Sequence, residues 1–285
     1  MPNESWTIKR LLDWTTEYFT KHQIENPHLE AEILLSHALN TERIKLYIDF
    51  EKELDKKSLE VFKGFITRRV KREPAAYIIG NKHFMSLNFM VTPDVLIPRP
   101  ETELLIENAI ELSKAYNGNI TILDIGTGSG AIAVALAKFI DNTEIYATDS
   151  SKKALEVASK NAMRHDVEGR IKFIETDLFP KENLKFDIII SNPPYIKSAD
   201  IGSLQPEVKG FEPISALDGG PDGLDFYRKI IDKVGGYLNE NSSILFEIGA
   251  DQAKDVVNII KNKLNLKNVR IKKDLSGLDR IVIAS

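Results

Sequence analysis

Hydrophobic positions change their spacing twice along this chain. Apolar side chains recur at helical spacing over residues 1–73 and alternate like those of short strands over 74–97. From Ile120 onward they form short runs separated by helical stripes. We therefore predict a helical bundle at 1–73, a β-hairpin linker at 74–97 and a larger α/β domain at 98–285.

The alternation in the last part predicts a mostly parallel sheet with helices on both faces. Two final runs, 268–273 and 279–284, flank a turn-forming Ser276-Gly277 pair and predict an antiparallel hairpin at the sheet edge. In the linker, either Asn88 or Pro93-Asp94 marks the turn. The remaining predicted strands are 120–125, 143–148, 171–176, 186–191 and 243–248.

A glycine-rich loop follows the first strand of the sheet. Residues 126–130 read G-x-G-x-G and precede a helical stripe, while Asp149 ends the next strand. This order is typical of a nucleoside-binding turn, in which glycine lets the backbone approach the ligand and an acid binds ribose hydroxyls. No G-K-[ST] follows, which excludes a P-loop, and the spacing differs from the G-x-G-x-x-G of dinucleotide sites. Together with the motif at 192–195, this spacing favours S-adenosylmethionine over NAD. The candidate cofactor contacts here are Gly126, Thr127, Gly128, Ser129, Gly130 and Asp149.

The third strand ends at Asp177-Leu178-Phe179. A carboxylate at this position can accept a hydrogen bond from an adenine amine, and Leu178 or Phe179 can flank the ring. Equally, Asp177 can cap a turn while the two apolar side chains pack in the core. We keep Asp177 and Leu178 as candidate cofactor contacts and leave both interpretations open.

The fourth strand is followed by Asn192-Pro193-Pro194-Tyr195. Two successive prolines remove backbone donors and hold the preceding residues extended. The groups that remain are acceptors, namely the Asn192 side-chain oxygen and the Pro193 carbonyl, which can orient a planar –NH2 group. Hydrogen bonds to these acceptors strengthen as the nitrogen gains positive charge during its attack on a methyl group. An interaction that is stronger in the transition state than in the ground state is the condition for catalysis. The alternative is a rigid turn after a strand.

Composition narrows the class of protein. The chain has 285 residues, of which 42% are hydrophobic and 28% charged, as in ordinary globular proteins. It contains no cysteine, which excludes disulfides, thiolate catalysis and cysteine-ligated zinc. No apolar run has membrane-spanning length and the N-terminus lacks a signal-peptide pattern, so we expect a cytoplasmic protein. No metal site is predicted.

The formal net charge is −4, which argues against nucleic acid as the main partner. Residues 63–72 are the local exception, with five basic residues and no acid. This segment is either a solvated helix face or a contact for an acidic or RNA-rich partner.

Taken together, these motifs carry a family resemblance. The chain resembles the release-factor glutamine methyltransferases (the PrmC/HemK family) over nearly its full length. The Asn-Pro-Pro-Tyr motif alone is shared with DNA, RNA and ribosomal-protein methyltransferases. Ile97–Glu103 followed by Glu212-Pro213 and 219–224 is much more specific. The matching stretches are 27–35, 69–80, 95–103, 123–130, 191–196, 212–225 and 274–282.

The resemblance implies a Rossmann-like class I methyltransferase sheet with a small N-terminal helical bundle and a linking β-hairpin. It implies methyl transfer from S-adenosylmethionine to the glutamine amide of the Gly-Gly-Gln motif in peptide chain release factors. The N-terminal helices carry over as a docking module for the release factor. We expect no membrane, no direct nucleic-acid contact and a monomer.

Site residues carry over by position. Asn192 is implied to contact both cofactor and substrate, and Pro193, Pro194 and Tyr195 to contact substrate, with Asn192, Pro193 and Tyr195 catalytic. Leu178 departs from relatives that have an aromatic beside adenine. Three further residues are either substrate-side residues or a helix-terminus charge pair with a loop carboxylate, and these are Arg99, Glu101 and Glu212.

Three rivals remain on the sequence alone. A ribosomal-protein glutamine methyltransferase would have the same active site and differ in docking. A DNA or RNA amino-methyltransferase could use Asn192 and Pro193 equally well, but the net charge and the lack of a sizeable target-recognition domain argue against it. A non-catalytic protein that retains the fold has no physical need for both motifs.

Overall fold

The computed structural model describes residues 6–264, 266 and 268–285. Their contacts divide the chain into two compact units. The first comprises the described residues up to Gly80 together with Gln205–Phe211, and the second comprises Asn81–Leu204 and Glu212–Ser285. The predicted three-part division did not foresee that 205–211 groups with the helical unit.

The first unit is helical, as the apolar stripes predict. Side-chain caps begin two of its helices: the Thr7 hydroxyl accepts from the Arg10 amide and the Asp55 carboxylate from the Ser58 amide. Its core packs side chains such as Phe19 and Phe62 between the helices. The helices are α1 (Ile8–Lys21), α2 (Pro27–Ala38), α3 (Arg43–Ile48), α4 (Lys56–Val70), α5 (Ala75–Ile79) and α9 (Pro206–Phe211).

The basic segment at 63–72 is not simply a solvated helix face. Arg69 is only 4% exposed, and its guanidinium bonds Glu30 at 2.8 Å and Glu207 at 3.0 Å. Arg72 shares Glu207 at 3.0 Å, and Arg68 pairs with a neighbouring glutamate. A buried guanidinium group needs such partners, and the bonds of Arg69 and Arg72 to Glu207 hold α9 within the helical unit.

The second unit is built on a seven-stranded sheet flanked by helices. Its elements are β1 (Asn81–Phe84), β2 (Leu87–Met90), α6 (Glu101–Ser113), β3 (Ile120–Ile125), α7 (Ala131–Phe139), β4 (Thr143–Asp149), α8 (Lys152–Arg164), β5 (Ile171–Glu175), β6 (Phe186–Ser191), α10 (Asp225–Val234), β7 (Leu238–Glu247), α11 (Ala253–Lys263), β8 (Val269–Lys273) and β9 (Asp279–Ala284).

The strand order of this sheet is β5-β4-β3-β6-β7-β9-β8. Strands β3 to β7 are parallel, and β9 and β8 add an antiparallel edge. Hydrophobic clusters cover both faces of the sheet, which explains why its strands read as continuous apolar runs. The order reverses between β3 and β6, and open α/β sheets bind ligands outside the carboxyl ends of their strands at such a point. The α/β prediction is confirmed.

The predicted linker 74–97 contains a hairpin, but its first part, 75–79, forms helix α5 of the first unit, and the hairpin belongs to the second unit. The turn of the hairpin was also placed wrongly. β1 and β2 pair antiparallel around Met85-Ser86, both of which have positive φ, rather than turning at Asn88 or Pro93-Asp94. Neither Met nor Ser signals a left-handed turn, so composition misled the prediction. Strand β7 also begins five residues before the predicted Ser243, at Leu238.

Among the described residues, none of the helices combines the length and the apolar character that crossing a bilayer requires.

Candidate active site

The carboxyl ends of β3, β4 and β6 lie side by side in the second unit. Ile125 at the end of β3 is in register with Thr148 of β4 on one side and Ser191 of β6 on the other. The Ser191 hydroxyl donates to the Ile125 carbonyl at 2.8 Å. This pairing brings the glycine loop and the loop that starts at Asn192 to the same edge of the sheet.

A cavity of about 410 Å³ opens at this edge. Its size suits a small-molecule ligand. Other lining groups come from 93–96, 213–216 and α10, and include Phe226 and Lys229. The predicted site residues that line it are Gly126, Gly128, Asp149, Asp177, Leu178, Asn192, Pro193 and Pro194. Those outside its lining are Thr127, Ser129, Gly130, Tyr195, Arg99, Glu101 and Glu212.

Backbone hydrogen bonds fix the glycine loop against β4. The amides of Gly126 and Thr127 both donate to the Thr148 carbonyl at 2.9 Å. Asp149 accepts from the Gly128 amide at 2.9 Å through Oδ2 and from the Ser151 amide at 2.8 Å through Oδ1. Asp149 therefore supports the loop and lines the cavity at once, and its remaining lone pairs can accept from ribose hydroxyls.

The close approach of α8 accounts for the last glycine of the loop. Gly130 has φ +78°, and a Cβ placed there would lie 2.9 Å from the Ala158 Cβ. A side chain at this position would force apart the two helices that begin beside the cavity. Gly130 thus serves the close packing of α7 and α8, and its contact with the cofactor remains a prediction.

The side chains of Thr127 and Ser129 are buried rather than aimed into the cavity. The Thr127 hydroxyl donates to Asp124 Oδ2 at 2.6 Å. Burial raises the pKa of the fully buried Asp124 carboxyl to about 7, while the Thr127 bond opposes this and the charge of Asp149 adds to it. Asp124 was read only as part of a strand, so its role in holding the loop was missed.

The two interpretations of the Asp177-Leu178-Phe179 segment, cofactor contact and core packing, apply to different residues. Leu178 lines the cavity with φ +73°, a strained conformation for a branched side chain, and the Thr148 hydroxyl donates to its carbonyl at 2.7 Å. Phe179 instead stacks on Tyr237, with ring centroids 4.4 Å apart, inside the core. Leu178 therefore lines the cavity and Phe179 does not, and contact of Leu178 with a cofactor remains a prediction.

The Asn192 side chain belongs to a buried polar chain that sequence reasoning did not identify. Its Nδ2 donates to the Thr102 hydroxyl at 3.1 Å, and this hydroxyl donates to Glu247 Oε2 at 2.6 Å. Burial raises the pKa of Glu247 to about 7, opposed by the Thr102 bond and by the charge of Arg280. A glutamate at the end of apolar strand β7 was the available signal.

The loop at 219–223 packs against the Asn192–Tyr195 loop and supports its shape. A Cβ on Gly219 would lie 2.8 Å from the Pro194 carbonyl, and one on Gly223 would lie 2.4 Å from the Tyr195 carbonyl. Gln252 Nε2 donates to the same Tyr195 carbonyl at 2.9 Å. The glycines at 219–223 therefore allow two loops to pack backbone against backbone.

Arg99 and Glu212 form an ion pair at 2.7 Å, and the buried Glu212 also accepts from the Ile97 amide. Glu101 is exposed at the start of α6. Of the two interpretations left open, the observed contacts match the charge pair and loop carboxylate, and a contact with substrate remains a prediction.

Tyr195 does not line the cavity, and its phenol is neutral. Burial, and next the charge of Glu247, raises the pKa of Tyr195 to about 12.

Two family models match separate parts of the chain. The model described as PrmC N-terminal domain matches residues 10–80, and the one described as methyltransferase small domain matches residues 100–204.

Curated relatives match nearly the whole chain and carry the name release factor glutamine methyltransferase. The protein from Geobacter sulfurreducens is 44% identical over 280 residues, covering 98% of this chain and 96% of the relative. The protein from Rhodopirellula baltica is 38% identical over 282 residues, covering 97% and 95%.

Solved structures agree on the fold. The catalytic domain of hMettl16 in complex with an RNA hairpin matches with a TM-score of 0.57 and 17% identity, over 76% of this chain and 81% of that one. A SAM-dependent methyltransferase from Agrobacterium tumefaciens matches with a TM-score of 0.50 and 14% identity, over 72% and 68%. The predicted class I methyltransferase fold is confirmed.

Proposed function

Because this chain belongs to the release factor glutamine methyltransferase family, we propose that it methylates the side-chain amide nitrogen of a release-factor glutamine. The acceptor is the glutamine of the Gly-Gly-Gln motif and the donor is S-adenosylmethionine. The observation that carries the proposal is Asn192-Pro193-Pro194 lining a cavity beside the glycine loop. The resemblance inferred from the sequence is confirmed.

The cavity fits the proposed donor. Asp149 and Asp177 offer carboxylate acceptors for ribose hydroxyls and for an adenine amine, and Leu178 offers an apolar contact for the base. No lysine stands in the 126–130 loop, which agrees with a ligand that carries no phosphate. When bound, the donor supplies an electrophilic methyl group on a sulfonium.

The protein's own contribution is orientation and hydrogen bonding. Asn192 Oδ1 and the Pro193 carbonyl accept from the two N–H groups of the glutamine amide and hold its nitrogen toward the donor. These bonds strengthen as the nitrogen becomes positive, which stabilises the transition state more than the bound substrate. The methylated amide is a strong acid and releases its extra proton to water. Well-oriented reactants gain up to roughly 7–11 kcal/mol.

The helical unit, residues up to Gly80 with 205–211, is proposed to dock the release factor. We further propose that the enzyme acts as a cytoplasmic monomer without direct contact to nucleic acid. The net charge of −4 and the pairing of Arg68, Arg69 and Arg72 with carboxylates support the last point.

A methyl-transfer assay tests the function. Purified enzyme is given labelled S-adenosylmethionine and either release factor or the same factor with its Gly-Gly-Gln glutamine changed to alanine, and mass mapping locates the methyl group. We expect label on the unchanged factor alone. Absence of label on both, with cofactor demonstrably bound, would overturn the substrate, and assays with ribosomal protein and then nucleic acid would test the rivals.

A further inference from the structure

Three polar side chains from separate parts of the fold are connected by hydrogen bonds in a row that ends at the cavity. Glu247 ends β7, Thr102 lies in the first turn of α6, and Asn192 follows β6. Glu247 is 1% exposed and Thr102 is 4% exposed, whereas Asn192 is partly exposed and lines the cavity. The row therefore runs from the interior to the surface on which the acceptor amide is proposed to lie.

The protons available on Glu247, Thr102 and Asn192 determine which group donates and which accepts in each hydrogen bond between them. A carboxylate can only accept, so an ionised Glu247 obliges the Thr102 hydroxyl to donate its single proton to Oε2. The Thr102 oxygen is then left with lone pairs, which accept from Asn192 Nδ2. The Asn192 amide also lowers the pKa of the Glu247 carboxyl, as expected of a donor that faces a carboxylate.

With Nδ2 directed to the interior, Oδ1 is the amide atom that remains for the cavity. This is the orientation that methyl transfer to an amide needs, since an N–H of the acceptor must meet an oxygen. Were the amide turned over, its Nδ2 protons would oppose the N–H groups of the acceptor, and the two donors would repel each other.

We propose that Thr102 and Glu247 are positioning residues that hold the Asn192 amide with its oxygen facing the acceptor glutamine. The inference rests on the proposed function and deepens it. Protonation of Glu247 removes the constraint, because a carboxylic acid can donate to Thr102 Oγ1 and free that hydroxyl to donate to Asn192 Oδ1. The ionised form is thus the productive one.

The charge around Glu247 sets the pH at which this happens. Arg280 of β9 favours ionisation, while Glu101 of α6 opposes it. The neutral phenols of Tyr195 and Tyr227 also lie within electrostatic reach of the carboxyl, and Tyr227 donates to the Glu247 backbone carbonyl at 2.8 Å. Burial outweighs Arg280 and leaves the pKa near 7, so kcat should rise with pH through about 7.

Substitution of Thr102 tests these hydrogen bonds directly. Thr102→Val keeps the branched shape and removes the hydroxyl, and kcat should fall roughly tenfold to a hundredfold, as for other residues that orient a functional group. Thr102→Ser restores the hydroxyl and should recover most of the activity. Thr143→Val is a matched control, because the Thr143 hydroxyl is also buried and hydrogen-bonded, to the Ile140 carbonyl at 3.3 Å, but Thr143 does not line the cavity. It should leave kcat unchanged.

Glu247→Gln separates positioning from packing. The isosteric amide fills the same space but no longer dictates the direction of the bonds, so kcat should fall while the dissociation constant for S-adenosylmethionine stays the same. The wild-type rise of kcat near pH 7 should disappear in this variant. Because Asp124 also has a pKa of about 7, a rise that persists in Glu247→Gln would belong to Asp124. Wild-type kcat in both Thr102→Val and Glu247→Gln would overturn the inference.

A readout without any substrate keeps this inference distinct from the proposed function. In ¹⁵N-labelled protein, the side-chain amide signal of Asn192 is assigned by its loss in Asn192→Ala. Thr102→Val and Glu247→Gln should each shift this signal, and Thr143→Val should not. An unmoved signal would overturn the positioning role even if the wild-type enzyme methylates release factor, whereas shifted signals without methylation would overturn only the substrate.

Discussion

The two halves of the active site are supported in different ways. In the cofactor half, supports are near in sequence: Thr127 bonds Asp124 three residues away, and Gly128 bonds Asp149 across 21 residues. In the acceptor half, Asn192 bonds Thr102 across 90 residues, and Thr102 bonds Glu247 across 145.

The difference has a functional reason. Holding a nucleoside requires a fixed backbone, which a short loop with glycines can supply by itself. Orienting one amide side chain requires partners of defined hydrogen-bonding direction, and these must be brought in by other elements of the fold. Each half nevertheless buries one carboxyl whose pKa is raised to about 7, Asp124 in the first and Glu247 in the second.

The largest expected effect is at the acceptor half. Asn192→Ala should lower kcat by roughly a hundredfold to a thousandfold, as when one preorganised polar contact is removed from an active site. Folding should be largely intact, because Asn192 is partly exposed and lies in a loop. Initial rates of methyl transfer together with a thermal melt measure both properties.

Asn192→Asp sharpens this result. The carboxylate keeps an acceptor but adds charge beside Glu247 and changes hydration, so activity on a neutral amide should be impaired. Full activity of this variant would mean that acceptor geometry alone decides, and near-wild-type turnover of Asn192→Ala would refute the assigned role.

The two buried carboxyls should both lower stability at high pH. An unfolded glutamate loses its proton near 4.5, whereas folded Glu247 keeps it up to about 7, so stability falls as pH rises between these values. Glu247→Gln should therefore raise the free energy of unfolding at pH 8 by at most about 3 kcal/mol, with no gain below pH 4.5. Asp124→Asn should behave likewise above 3.8.

Denaturant unfolding at several pH values measures these gains. Glu247→Gln would then be more stable at pH 8 but less active, as expected of a residue retained for its function. A gain of equal size at pH 4 and pH 8 would contradict the linkage and point to packing instead.

The contrast between the halves also explains how much of the site could be predicted from sequence. The glycine loop, Asp149 and Asn192–Tyr195 are contiguous motifs at strand ends, and the sheet order brings them together as the alternation of strands and helices predicts. Thr102 and Glu247 belong to no contiguous motif. The glutamate that ends apolar strand β7 was a signal for a buried carboxyl, but nothing in the sequence connects it to Thr102 or Asn192. Only the fold makes them neighbours.

The turn of the hairpin and the grouping of α9 with the helical unit were not predicted from the sequence, for a related reason. Met85 and Ser86 adopt positive φ although neither residue favours it, so tertiary packing overrides local preference there. Residues 205–211 join the helical unit through Arg69 and Arg72, which are ordinary basic residues until Glu207 is placed beside them.

A smaller effect is expected from the glycines behind the acceptor loop. Gly223 has φ +77°, and an added Cβ would lie 2.4 Å from the Tyr195 carbonyl, so Gly223→Ala should cost about 2 kcal/mol of stability and lower kcat. Gly64→Ala is the control, since nothing lies within 4 Å of that site in exposed helix α4. It should stabilise the protein by about 0.5–1 kcal/mol. Equal effects of the two changes would show that the loops do not need their close contact.

The smallest effect should fall on the cofactor half. The two carboxylate oxygens of Asp149 accept from the backbone amides of Gly128 and Ser151. An asparagine has only one side-chain oxygen, so Asp149→Asn leaves one of these two amides without an acceptor. Affinity for S-adenosylmethionine should fall roughly tenfold, the equivalent of one charge-assisted hydrogen bond, as measured by calorimetry. Asp187→Asn changes a carboxylate that likewise accepts from a backbone amide, that of Thr121, but does not line the cavity. If Asp187→Asn weakens the cofactor as much as Asp149→Asn does, general destabilisation explains the loss, and the local support proposed for the cofactor half is wrong.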